Sequence, residues 1–180
     1  MAEYLIRRAT HDDVAALAHI GRTTFIETFG HLYPPRDLEV FLPQAYGLVS
    51  TRESLSSPGS AAWLVEQESQ VVGFATVGLC TLPHPEVGTE SFELKRFYLL
   101  KTQQNSGIGG RLFRVVMDWI LAQQPADLWI GVWSRNHGAL RFYARHGFER
   151  VGEYGFQVGD TVDDEFILKR TPRSFPRETR

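Results

Sequence analysis

Short apolar runs along this chain trade places with stretches whose apolar residues recur every three or four positions, and that exchange predicts a mixed succession of strands and helices. Tyr4 to Arg8 reads as a first strand. Thr10 and Asp13 stand at capping-box spacing and start a helix running to about Phe29. Pro34 and Pro35 restart the chain, and Asp37 to Phe41 and Thr51 to Leu55 suit two short helices before Ser56-Ser57-Pro58-Gly59-Ser60 breaks the pattern. Ala62 to Glu66 and Val71 to Leu79 flank a polar turn, as in an antiparallel hairpin. Cys80 to Glu90 carries two prolines and a glycine and reads as a loop long enough to overhang something. Ser91 to Leu100 is the central strand. Leu112, Val116, Trp119 and Ile120 then mark one face of a helix. Asp127 to Val132 is a fifth strand, Asn136 to His146 a helix, and Glu149 to Tyr154 and Val162 to Lys169 close the sheet. The order predicts an α/β fold of the α+β kind, a mixed, mostly antiparallel sheet of about seven strands with flanking helices.

Composition narrows the function classes. A chain of 180 residues with 43% hydrophobic content suits one core, so residues 1–170 read as a single domain and 171–180, with two prolines and three arginines, as a mobile basic tail. A net charge of −2 argues against non-specific nucleic-acid binding. The single cysteine, Cys80, forbids an internal disulfide and fits a reducing compartment; with no base beside it in sequence it reads as packed or idle. Scattered histidines, His31, His84, His137 and His146 among them, offer no metal-ligand spacing, so no metal is expected. Nothing reads as a signal peptide or membrane span, which predicts a cytoplasmic protein without a membrane partner.

The most informative segment is Gln104-Asn105-Ser106-Gly107-Ile108-Gly109-Gly110, between the end of the central strand and the start of a helix. First-turn amides of a helix lack intrahelical partners and point one way, reinforced by the macrodipole, so such a turn attracts a phosphate. Glycines 107, 109 and 110 remove Cβ atoms that would hold a pyrophosphate off the backbone. The same turn also reads as a tight structural cap. It is neither a Walker A loop nor Gly-x-Gly-x-x-Gly, because no Lys-Ser/Thr follows and Leu112 occupies the last glycine position.

Gln104-x-x-Gly107-x-Gly109 resembles the signature of the GNAT superfamily of N-acetyltransferases. Asn136-x-x-Ala139-x-x-Phe142-Tyr143, followed by Gly147-Phe148, resembles a second segment of that family, in the right order. The resemblance spans most of residues 4 to 169 and implies a fold with a splay between the fourth and fifth strands, where acetyl-coenzyme A enters as cosubstrate. It implies further that backbone groups around Phe97, Tyr98 and Leu99 hold the pantetheine. Gln104 and the turn Asn105, Ser106, Gly107, Ile108, Gly109 and Gly110 would hold the pyrophosphate. Asn136 would contact the coenzyme or cap its helix, and Tyr143 would be the acid beside the coenzyme sulfur.

Acetyl transfer to an amine needs a neutral nucleophile, although a free alkylamine has a pKa of about 10, and a protonated leaving thiol. Glu93 stands eleven residues before Gln104, the spacing of a catalytic glutamate in some family members, and by strand alternation shares a face with Lys95, Phe97 and Leu99, with Arg96 on the other. It reads as a base, as an ammonium-binding carboxylate, or as replaced by a water chain. Glu27, Phe29, Tyr33 and Trp133 are the substrate-binding candidates, Glu27 reading equally as a solvated helix-end carboxylate. Closer resemblance is to bacterial spermidine/spermine acetyltransferases of the protease-synthase and sporulation regulator type. It implies a polyamine-like small-molecule amine, recognised by carboxylates and aromatic faces, with Asp160, Asp163 and Asp164 either lining the site or solvating a hairpin turn. The other function classes are a protein or peptide N-acetyltransferase and a non-catalytic acyl-coenzyme A sensor. A homodimer is a family expectation.

Overall fold

The computed structural model describes residues 3–171, so the tail expected at 171–180 lies, from residue 172 onward, outside the described residues. Strands β1 (Tyr4–Arg8), β2 (Ala61–Gln67), β3 (Gln70–Leu79), β4 (Ser91–Leu99), β5 (Asp127–Trp133), β6 (Glu149–Val158) and β7 (Thr161–Arg170) form one sheet in the order β1-β2-β3-β4-β5-β7-β6. Every pairing is antiparallel except β4 with β5. That parallel contact covers Ser91, Phe92 and Glu93 against Asp127, Leu128 and Trp129, beyond which the two strands part. The mixed, mostly antiparallel sheet and the splay expected from the sequence are both present.

Helices α1 (Val14–Phe29), α2 (Pro35–Tyr46) and α3 (Leu48–Ser56) precede β2, α4 (Ile108–Ala122) joins β4 to β5, and α5 (His137–Arg145) follows β5. Amphipathic α4 buries Ile108, Leu112, Phe113, Val116, Met117 and Ile120 against Trp63, Val65, Ala75, Val77 and Leu94 on one face of the sheet. On the other face, Leu17, Ile20, Phe25 and Phe29 of α1 and Leu42 and Tyr46 of α2 pack on Ala62, Leu64 and Phe74. A smaller cluster of Leu82, Trp129 and Ile167 lies under the 80–90 loop.

Several element boundaries differ from the sequence reading. Helix α2 extends well past Asp37 to Phe41 because it continues through Pro43, which forfeits only its own missing N–H near the helix end. Helix α3 likewise starts three residues earlier than expected, at Leu48. Strands β6 and β7 run longer than Glu149 to Tyr154 and Val162 to Lys169, with the turn confined to Gly159 and Asp160. Asp163 and Asp164 therefore sit within β7, and only Asp160 belongs to the turn.

A clasp joins this turn to α2. Asp37 accepts hydrogen bonds from the Asp160 amide at 2.9 Å and the Thr161 hydroxyl at 2.5 Å. Gly159 has φ +60°, and a Cβ there would stand 2.4 Å from the Asp37 Cα. Gly159→Ala should therefore cost about 2–4 kcal/mol and lower the thermal midpoint by roughly 5–10 °C. Calorimetry showing an unshifted midpoint would mean that the turn does not bear on Asp37.

A second cluster fastens β4 to β5 at the start of their paired stretch, where Ser91 stands opposite Asp127. Asp127 accepts from the Ser91 hydroxyl at 2.5 Å and the Trp129 indole at 2.6 Å, and pairs with Lys169 at 3.3 Å. Lys169 in turn lies 4.8 Å over the Trp129 ring and reaches Glu86 of the overhanging loop at 2.6 Å.

Candidate active site

The turn before α4 is built to present amides. Asn105 (φ 64°) and Gly107 (φ 84°) both adopt the left-handed conformation, which reverses the chain between β4 and the helix. Ser106 closes the turn by donating to the Gln103 carbonyl at 2.7 Å and receiving the Ile108 amide at 3.4 Å. The Arg111 amide reaches the Gly107 carbonyl at 3.4 Å, so the amides before it form the open first turn. A Cβ on Gly110 would meet nothing within 4 Å, and one on Gly109 would make only an ordinary contact with Leu99 at 3.5 Å. Packing does not require these glycines; the vacant space is what a pyrophosphate would fill.

This turn opens into a cleft of about 580 Å³. Gln104, Asn105, Gly107, Gly109 and Gly110 form one end, Phe97 and Leu99 one wall, and Gly138, Ala139, Phe142, Tyr143 and Arg145 of α5 the other. Gly138 and Arg145 were not singled out from the sequence; the small pair Gly138-Ala139 in the first turn of α5 was the available signal. A narrower cavity of about 60 Å³ continues the cleft through the splay, sharing Phe97, Ala139 and Tyr143 with it. Its far side carries Phe29, Tyr98, Gly131, Trp133 and Glu165. The channel thus crosses the sheet from the α4/α5 face to the α1/α2 face, with Tyr143 on the wall common to both parts.

Tyr143 is 5% exposed and packs against Phe148, Phe142 and Phe113. Burial pushes its phenol above the usual range, which keeps the O–H protonated at any physiological pH. Asn136 caps α5 by accepting the Ala139 amide at 3.1 Å and also lines the channel, so the two readings of this residue are compatible. Phe29 and Trp133 meet edge to face at 5.8 Å on the channel wall. The Tyr98 ring packs with Phe29 and Phe74 on the α1/α2 side.

Other sequence candidates stand elsewhere. Glu27 accepts the Lys101 amide at 3.0 Å and is not on the channel wall. Tyr33 is buried against Phe25 and donates to Asp163. The face assigned to Glu93 needs correction. Thr76 faces Arg96 but Val77 faces Leu94, so Lys95 is the extra residue of a β-bulge. Phe92 and Leu94 therefore share the α4/α5 face with Phe97 and Leu99, while Glu93 joins Arg96 and Tyr98 on the other. There the Glu93 carboxylate binds the Thr81 amide at 3.0 Å, its hydroxyl at 3.2 Å and the Lys95 ammonium at 2.8 Å. Simple alternation cannot reveal such a slip, because a bulge leaves no mark in a run without glycine.

Sequence reasoning missed Glu165. It faces the Tyr154 phenol across β6 and β7 and accepts its O–H at 2.5 Å. Burial raises its carboxyl above the ordinary glutamate value, with Asp163 and Glu93 adding to the shift and the Tyr154 bond opposing it. The signal available was the same-face alternation of Asp163 and Glu165 in Thr161–Arg170. Cys80 is half-buried with its thiol pushed up to about 11 by burial, which disqualifies it as a nucleophile at neutral pH. Among the described residues no His/Cys/Asp/Glu group is placed to hold a metal ion, and no helix is long and apolar enough to cross a membrane.

Comparison with known proteins gives a consistent picture. The model of the acetyltransferase (GNAT) family matches residues 22–148. An uncharacterized N-acetyltransferase of Lactobacillus delbrueckii subsp. lactis is 30% identical over 165 residues, 92% of this chain and 95% of the relative. The crystal structure of PaiA N-acetyltransferase from Thermoplasma acidophilum in complex with coenzyme A superposes with a TM-score of 0.74 at 18% identity, covering 94% of this chain and 99% of that one. Ribosomal-protein-alanine N-acetyltransferase from Brucella melitensis superposes with a TM-score of 0.69 at 24% identity, covering 93% and 99%. These two structures share the fold.

Proposed function

Because this chain belongs to the acetyltransferase (GNAT) family and is an acetyl-coenzyme A-dependent N-acetyltransferase, we propose that its acceptor is a small, polyamine-like primary amine. The observation that carries this reading is the acceptor end of the channel, where aromatic Phe29, Tyr98 and Trp133 line the wall together with a carboxylate, Glu165, while the nearby cations Lys95 and Arg96 are engaged by Glu93 and by the Tyr46 ring. Aromatic faces and carboxylates are the chemistry that recognises ammonium groups. A small acceptor is favoured over a protein because the 80–90 loop is fastened down by the Glu86–Lys169 pair and by Leu82 against Trp129.

Gln104 and the amides of Asn105, Gly107, Ile108, Gly109 and Gly110 hold the pyrophosphate, with Ser106 shaping the turn. The parted edge of β4 around Phe97 and Leu99 pairs with the pantetheine, as an unpaired strand edge does with an extended ligand. Bound acetyl-coenzyme A supplies the thioester whose carbonyl the amine attacks. Tyr143 donates its proton toward the departing sulfur, and the Asn136 amide group orients the chain from the α5 side. The amine must first lose a proton, to Glu93 or along a water chain. Since Lys95 and Thr81 already occupy the Glu93 carboxylate, the second route is favoured. The reading also takes the protein as cytoplasmic and, from its family resemblance, dimeric.

A thiol-release assay tests this with acetyl-coenzyme A and a panel of spermidine, spermine, putrescine, lysine, aminoglycosides and short peptides. Turnover is expected to be strongest with the polyamines. Preference for a peptide N-terminus would replace the small-amine reading with a protein-directed one, and coenzyme binding without turnover would leave a sensor.

A further inference from the structure

We propose that Glu165 is the carboxylate that receives the acceptor amine and removes its proton. This rests on the amine acetylation proposed above and supplies the group at the end of its proton path. Three placements carry it. Glu165 lines the same narrow cavity as Tyr143 but on the opposite side of the sheet, so an amine arriving from the α1/α2 face meets the carboxylate before the thioester.

Second, the room for this carboxylate is made by a missing side chain. A Cβ on Gly131 of β5 would stand 2.8 Å from the Tyr154 hydroxyl and 2.9 Å from the Glu165 Oε2. The pair lies directly over Gly131, in a strand otherwise bulky on that face with Trp129 and Trp133. Third, the alternative carboxylate is committed. Glu93 is held by one ammonium and two donors of the Thr81 backbone and side chain, whereas among the described residues Glu165 has a single neutral hydrogen-bond partner, the Tyr154 phenol.

The charged and titratable groups around Glu165 are Glu93, Lys95, Arg96 and Tyr98 of β4, Tyr154 of β6, Asp163 on its own strand, Tyr143 of α5, Tyr46 of α2, and Tyr33. Tyr33 lies behind Asp163. Lys95 is bound to Glu93, and Arg96 lies over the Tyr46 ring at 4.6 Å, so neither neutralises Glu165. A carboxyl in this acidic, partly dry setting holds a proton more firmly than an exposed one, which suits it to accept one from an ammonium near neutral pH.

The transfer then balances. One N–H proton of the ammonium passes to the Glu165 carboxylate, directly or through one water. The freed nitrogen lone pair forms the C–N bond to the thioester carbonyl carbon. The C–S bond breaks, the sulfur keeps the electron pair, and Tyr143 gives it a proton. The acetylated nitrogen returns its surplus proton to the Tyr143 oxygen, and Glu165 releases the captured proton to solvent.

The test compares Glu165→Gln, Tyr154→Phe and Glu93→Gln, using full-length protein and the best amine from the panel. Glu165→Gln is expected to lower kcat/KM for the amine about 100-fold with acetyl-coenzyme A affinity unchanged, and to abolish the acid limb of the kcat/KM profile. Tyr154 is a positioning residue. Removing its donor leaves the carboxylate less stabilised, so Tyr154→Phe should move that limb to higher pH, which loss of packing alone would not do. Glu93→Gln should cost less, within about tenfold, and keep the limb. An unaltered kcat/KM or acid limb in Glu165→Gln, with active unmodified protein, overturns the assignment while leaving amine acetylation standing. An unmodified protein that acetylates no amine removes both.

Discussion

Gly109→Val is expected to weaken acetyl-coenzyme A binding by roughly 10³-fold while leaving the thermal midpoint within about 2 °C of the unaltered protein. A Cβ on Gly109 makes only an ordinary contact inside the protein, at 3.5 Å from Leu99, so the fold has no objection to a side chain there. The branched methyls instead enter the cleft and push the phosphates off the first-turn amides. Two charge-assisted hydrogen bonds lost at about 2 kcal/mol each give that factor. The same substitution at Gly107 would be a poorer test, because its φ of 84° makes any side chain a source of strain. Titration calorimetry decides the matter. Tight binding by Gly109→Val would mean that the glycines serve the turn alone.

Tyr143→Phe is expected to lower kcat by 10²- to 10³-fold, the range for loss of one positioned acid, with coenzyme affinity changed less than about threefold. The ring is fully packed among Phe113, Phe142 and Phe148, so phenylalanine keeps the contacts and removes only the hydroxyl. Burial raises the phenol above its ordinary value, and a group with a raised pKa stays protonated until the pH passes the higher figure. The unaltered enzyme should therefore show no fall in kcat from this residue below about pH 10. A kcat unaffected by the substitution would end the role of Tyr143 as acid.

Much of the fold was legible because its signals are local. The capping box at Thr10 and Asp13 forms as expected, the Asp13 carboxylate receiving the Thr10 amide at 2.8 Å, and the α4 face follows directly from Leu112, Val116 and Ile120. The glycine turn with Asn136 and Tyr143 was readable because both motifs are contiguous in sequence. What escaped depends on contacts between distant strands. The β4 bulge is defined only by the register with β3, and it moved Glu93 to the face opposite Phe97. Glu165 became a site residue only because Gly131, on a neighbouring strand, leaves room for it and Tyr154 orients it. Glu27 looked like a pocket carboxylate from its place at the end of α1, but the chain returns there at Lys101 and takes that carboxylate for a backbone amide.

The parting of β4 and β5 has a further consequence. An unpaired strand edge on the outside of a sheet is a template for other chains, and proteins blunt it with charges, prolines or bulges. Here the unpaired edges of the two central strands face each other from Leu94 and Ile130 onward, while their outer neighbours β3 and β7 remain paired. The cluster around Asp127 and Lys169 fastens the two strands at their paired end, where Ser91 stands opposite Asp127, and they part beyond Glu93 and Trp129. A second polypeptide strand would have to force both edges apart, whereas a thin extended thioester arm fits between them. The sheet thus turns these unpaired backbone edges inward, away from other chains.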